Sequence, residues 1–215
     1  MEGGSEGISC QESNFPQRRA WNKGRIIDQK RSLLPKRVWA IRARFELAGY
    51  LRDLALFNVA IDSKLRGCDL VNLAVADLVK DDRVGERVFV IQSKTKRPVQ
   101  FELTENTRET VLSRDRAPKM FACQFMFTSC FHYQPHISTR QYGRLVREWG
   151  TAIGLAPSEY STHSLRRTKA AEIYRKTSNL RAVQLLHGHT KVDSTLRYLG
   201  VELEDALSVA ERIDI

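Results

Sequence analysis

Apolar residues first recur at helical intervals in "PKRVWAIRARFELAG", where Val38, Ile41, Phe45 and Leu47 stand near one face. Proline opens this run and Gly49 closes it, the order expected at a helix start and stop. "YLRDLALFNVAIDSKL" predicts a second helix, with Leu51, Leu54, Leu56, Phe57 and Ala60 on its apolar face and Gly67 as its end. The period then changes. "RVFVIQ" and "VQFEL" are β-branched and aromatic runs separated by "SKTKRP", which predicts a hairpin with a charged tip. "TENTRETVLSRDR" returns to helix behind a capping threonine, Thr104. "ISTRQYGRLVREWGTAIG" places Leu145, Val146, Trp149 and Ile153 at helical spacing and stops at Gly154. "THSLRRTKAAEIYRKT", "LRAVQLLHGHT" and "VDSTLRYLGVELEDALSVAERI" predict further helices, the last with a break at Gly200. The expected fold is mixed, predominantly α, with one small antiparallel sheet.

Residues 1–32 show little periodicity and predict a flexible tail whose second half, "QRRAWNKGRIIDQKR", is basic. The globular part is expected over 33–215. A chain of 215 residues, 42% hydrophobic and 28% charged, has enough material for a core of ordinary globular type. Charge changes the picture most. A net charge of +10 favours a polyanionic partner, nucleic acid ahead of membrane, because phosphate contacts release counterions. A merely solvated basic surface is the plainer alternative. No apolar run reaches the roughly 18 residues of a membrane span, and the N-terminus has no cationic segment followed by an apolar one. Cys10, Cys68, Cys123 and Cys130 form no C-x-x-C pair, so free thiols in a reducing cytoplasm are expected.

The densest chemistry lies in "STHSLRRTKAAEIYRKTSNLRAVQLLHGHTKVDSTLRYLG", residues 161–200. Thr162 is a candidate cap. His163 and Arg166, three apart, share a helical face, whereas Arg167 points elsewhere; Leu165 and Ala170 are candidates for burial. Arginine offers a planar fork of donors to an oxyanion, and histidine exchanges a proton near neutral pH. Taken alone, H-x-x-R also fits a solvated face. His189 follows Gly188 near a predicted helix start, where anions settle. Tyr198 is nine residues further on, and a phenol becomes a nucleophile only where cations or a base stabilise its anion. His187 with His189, and His132 with His136, have metal-like spacings, but the cysteines show no zinc-type spacing.

H-x-L-R-R-T, then L-L-x-G-H, then T-x-x-Y nine residues after the histidine, resembles the tyrosine recombinase (phage integrase) family. The likeness extends upstream. "AIDSKLRGCDLVNLAVADL" resembles the family's first arginine box and implies Arg66 as an active-site arginine, with Asp69 at a supporting acidic position. "IQSKTKRPVQFEL" resembles the hairpin that carries the family's lysine, with Lys94 the best match and Lys96 the second. The resemblance runs from about residue 36 to 205 and implies the family's catalytic-domain fold.

It implies a catalytic set of Arg66, Lys94, His163, Arg166, His189 and Tyr198. Tyr198 would attack a phosphodiester of double-stranded DNA and form a 3′-phosphotyrosyl intermediate. The arginines and His189 would hold the nonbridging oxygens, Lys94 would protonate the leaving 5′-oxygen, and His163 would serve as acid or base. Neither ATP, a metal nor another cofactor is implied. A homotetramer on DNA is implied, with "VELEDALSVAERI" docking on a neighbour through Leu203, Leu207 and Val209.

Two departures stand out. His187 occupies a position that is commonly apolar. Family members usually carry a helical core-binding domain before the catalytic domain, whereas a short basic tail stands before it in this sequence, as expected of a fragment, a minimal recombinase or one that borrows an accessory DNA-binding protein. Two other readings stay open: a silent DNA-binding remnant, and a type IB topoisomerase.

Overall fold

The computed structural model describes residues 30–117, 123–129, 134–187, 195, 196 and 199. Helix α1 spans Pro35–Ala48, α2 Leu51–Ser63, α3 Gly67–Val71, α4 Val75–Leu78, α5 Glu105–Asp115, α6 Thr139–Thr151, α7 Thr162–Thr177 and α8 Leu180–His187. Strands β1 (Val79–Lys80) and β2 (Arg83–Val84) pair antiparallel, as do β3 (Arg87–Ile91) and β4 (Pro98–Glu102). Among the described residues the fold is therefore mostly helical, with two small antiparallel sheets where one was expected.

The ends of α1 follow from its sequence. Pro35 fills the first turn, where no amide donor is needed, and Gly49 closes the helix at φ 66°. Val38, Ile41 and Phe45 are buried, but Leu47 is 90% exposed, so the inner face is narrower than its apolar pattern.

Helix α2 is the centre of the molecule. Every residue from Leu54 to Ser63 is buried, including Asn58 and Asp62, so the helix is enclosed on all sides rather than along one stripe. Leu51 stays exposed. The helix ends earlier than expected, at Lys64, which takes a left-handed φ of 54°; Gly67 begins α3 instead. Phe45, Phe57 and Trp149 pack edge to face with centroids 5.3–6.0 Å apart, joining α1, α2 and α6. The Trp149 indole donates to Asp53 Oδ2 at 3.0 Å.

The β3–β4 ladder runs from Arg87↔Glu102 to Ile91↔Pro98. Val88, Val99 and Phe101 face the core, whereas Phe89 and Ile91 face outward, as period-2 alternation requires. The β1–β2 turn, Asp81–Asp82, has positive φ at both residues, the condition of a tight two-residue hairpin.

Candidate nucleic-acid cleavage site

Three elements carry the predicted residues that fall within the described structure. Arg66 caps α3 immediately after the end of α2. Lys94 lies in the loop Ser93–Lys96 between β3 and β4, where Lys94 and Lys96 are both exposed. His163 and Arg166 occupy the first turns of α7, with His163 at the surface and Arg166 buried. His189 and Tyr198 lie outside the described residues, as do Gly188 and the C-terminal segment 201–215. His187 is the last residue of α8.

Two tethers bring these elements together. The first joins α3 to the hairpin: Arg66 Nη1 donates to Gln92 Oε1 at 2.7 Å, and the Ser93 amide donates to Asp69 Oδ1 at 2.8 Å. Asp69 is buried. The second joins α7 to α2. Lys169 Nζ pairs with Asp62 Oδ1 at 2.6 Å, while Asp62 Oδ2 accepts from the Thr104 amide and from the hydroxyls of Thr104 and Thr107. Asp62 is four residues before Arg66, and Lys169 is three after Arg166. The ion pair therefore fixes the two arginine-bearing elements against each other. Asp62 loses hydration on burial, but the Lys169 ammonium and these donors outweigh that cost and hold its pKa below the ordinary carboxylate value. Thr104 does begin α5, but its hydroxyl makes no capping bond and serves Asp62 instead.

The start of α7 corrects one expectation. Its cap is Ser161, not Thr162: Ser161 Oγ accepts from the His163 amide, and Ser164 Oγ accepts from the Ser161 amide. Arg167 is buried, and its guanidinium donates to the Lys30 carbonyl at 2.6 Å. Leu33 N adds a bond to Thr168 Oγ1 at 3.0 Å. These bonds fasten the segment before α1 across α7. Leu165 and Ala170 are buried as expected. Arg166 is buried, whereas His163 beside it is exposed. Partial desolvation, and then the charges of Arg166 and Arg167, push the His163 pKa below its ordinary value. This favours the neutral ring, the form that accepts a proton.

Lys64 went unnoticed in the sequence. It is buried, and Nζ donates to the Asp62 carbonyl at 2.7 Å. Burial, and then the nearby Lys169 ammonium, lower its pKa to about 8. The unfolded chain keeps this proton to about pH 10.4, so between those values the unfolded state binds more protons and stability rises with pH. Lys64→Met keeps the length and the left-handed strain but removes the charge. Between about pH 7 and pH 10 the wild type should gain on the order of 2–3 kcal/mol relative to Lys64→Met. Denaturant melts of both proteins across that range check this, and a constant gap would refute it.

A cleft lined by Tyr50, Arg52, Asp53, Arg114, Thr128 and Ser129 contains none of the predicted residues. Among the described residues no group of three or more His, Cys, Asp or Glu is arranged to hold a metal.

The profile of the phage integrase family matches residues 33–204. The chain belongs to the phage integrase family. The probable integrase/recombinase YoeC of Bacillus subtilis is 30% identical over 162 residues, covering 75% of this chain and 84% of the relative. The tyrosine recombinase XerD of Bradyrhizobium diazoefficiens is 27% identical over 160 residues, 70% of this chain and 49% of that protein. This chain thus spans about half of the XerD relatives it matches. Among solved structures, the XerA recombinase superposes with a TM-score of 0.69 at 20% identity, covering 86% of this chain and 66% of that one. The XerH recombinase bound to its difH substrate gives 0.66 at 13% identity, covering 85% of this chain and 54% of that one. The fold is that of a tyrosine recombinase catalytic domain, and by family the chain is a tyrosine-type site-specific recombinase.

Proposed function

We propose that this integrase-family protein cleaves and rejoins double-stranded DNA through a 3′-phosphotyrosyl intermediate, with residues 33–215 as its catalytic domain. The supporting observation is the tethering of three cation-bearing elements: the α2–α3 junction with Arg66, the β3–β4 loop with Lys94 and the start of α7 with Arg166. Three positive groups on separate elements suit one phosphate whose charge grows in the transition state.

Each step balances. Tyr198 Oη gives its proton to neutral His163 and attacks phosphorus. The bond to the 5′-oxygen breaks, and the Lys94 ammonium protonates that oxygen. Arg66, Arg166 and His189 donate to the nonbridging oxygens. The phosphotyrosyl bond conserves the free energy of the broken diester, so rejoining is the reverse attack by a 5′-hydroxyl. Two duplexes would be exchanged within a homotetramer, with segment 201–213 docking on a neighbouring copy.

Incubation with nicked duplexes in chelator and without ATP should give a protein-linked DNA band. Scission that leaves only free ends would reject the phosphotyrosyl route.

The N-terminal tail would add phosphate contacts. Removing residues 1–29 spares the Lys30 carbonyl held by Arg167. It should weaken binding about equally on all sequences. The slope of log affinity against log salt should flatten by about 0.9 for each of Arg18, Arg19, Lys23 and Arg25 that neutralises a phosphate. Titrations at several salt concentrations decide, and identical slopes with and without the tail would exclude it.

A further inference from the structure

We infer that Gln92 is a positioning residue whose side-chain oxygen ties Arg66 to the loop carrying Lys94, so that both cations meet one phosphate in a fixed geometry. The inference rests on the DNA-cleavage reading above and adds a residue to it.

Gln92 is only 2% exposed although it adjoins an exposed loop. Its Oε1 accepts two hydrogen bonds, from Arg66 Nη1 at 2.7 Å and from Thr95 Oγ1 at 2.8 Å. Its backbone closes the loop: the Gln92 amide donates to the Arg97 carbonyl at 3.0 Å, and the Lys96 amide donates to the Gln92 carbonyl at 2.8 Å. Ser93 adds the bond to Asp69. Lys94 is thus flanked by three residues, Gln92, Ser93 and Thr95, that are each anchored. An exposed lysine on an untethered loop would spread over many positions, whereas here the backbone beneath it is fixed to the same α3 that presents Arg66.

The choice of amide over carboxylate fits this role. Glutamine accepts from Arg66 without cancelling its charge, which leaves the guanidinium's electrostatic pull for a phosphate. A glutamate would accept equally well but would hold Arg66 as an ion pair and oppose an incoming anion.

Single-turnover cleavage of a nicked duplex at saturating protein tests the inference, with binding and thermal unfolding followed in parallel. Gln92→Leu should slow cleavage about 100-fold, the scale of a misplaced reacting group, with DNA affinity unchanged. Gln92→Glu keeps the acceptor and should fold normally, yet should also cleave slowly; a merely structural role predicts rescue by glutamate. Thr95→Val, at an exposed position, cuts only the loop half of the tether. It should slow cleavage at a normal 5′-oxygen but not at a bridging 5′-sulfur, because a thiolate leaves without a proton from Lys94. Full-rate cleavage by folded Gln92→Leu or Gln92→Glu would overturn the inference, as would Thr95→Val cleaving the oxygen substrate at the wild-type rate. If Gln92→Leu does not fold, Gln92→Glu and Thr95→Val decide. Absence of any adduct from the wild type would overturn the cleavage reading itself, an outcome distinct from variants that cleave as well as the wild type.

Discussion

Tyr198→Phe is expected to abolish covalent attachment to DNA while leaving folding and binding intact. The substitution removes one oxygen and keeps the ring, so packing changes little, and the lost atom is the one that would bond to phosphorus. Tyr198 lies outside the described residues, and its assignment rests on the T-x-x-Y element nine residues after His189. The described structure weighs against the nearest substitute. Tyr174 sits on α7 eleven residues after His163, about 16 Å along the helix at 1.5 Å per residue, and eight residues from Arg166. It cannot share a phosphate with the start of that helix. Gel assays with nicked duplexes should therefore show no adduct from Tyr198→Phe and a normal one from Tyr174→Phe, and the opposite pattern would exchange the two assignments.

The paired arginines should separate rate from stability. Arg166→Ala should slow cleavage by about 10²–10³, the usual effect of deleting one preorganised donor to a developing oxyanion. Arg166→Lys should recover only part of the loss, since an ammonium lacks the planar fork. Arg167→Ala should instead lower stability. Its guanidinium holds the Lys30 carbonyl from a buried position, and hydrogen bonds from charged groups contribute about 1.5–3 kcal/mol. For a chain of this size that is a fall in Tm of roughly 3–12 °C. Rate measurements at saturating folded protein, beside thermal melts, distinguish the two. Equal rate losses with equal melting temperatures would remove the basis for separating these neighbours.

Elements with a clear period were legible in the sequence. The β3–β4 hairpin, α1 and α6 follow from alternation, from Pro35 and Gly49, and from Val146 and Trp149 on one face. Helices α3 and α4 and strands β1 and β2 have two to five residues each, too few for any period to show. Buried polar groups were the larger gap. Asp62 reads as the polar edge of an amphipathic helix, yet it is enclosed because Thr104, Thr107 and Lys169 arrive from 42 to 107 residues away. Its only local signal is a carboxylate inside the apolar run "LFNVAIDS". The partner of Arg167 was out of reach for the same reason, since it is a backbone carbonyl 137 residues earlier. Of the candidate set, His163 and Arg166 came from helical spacing and side-chain chemistry and Arg66 and Lys94 from motif resemblance, and the structure supplies the tethers among their elements. Gln92 was hidden as one polar residue at a strand end.

The central claim is the covalent chemistry, and its most direct measurement is the chemical identity of the protein–DNA link. Wild-type protein would be trapped on nicked duplexes cut from DNA flanking its own gene, then digested, and the DNA-bearing peptide sequenced by mass spectrometry. A single modified residue, Tyr198, is expected, joined to a 3′-phosphate with a free 5′-hydroxyl on the other strand end. A link through any other residue, or to a 5′-phosphate, would contradict it.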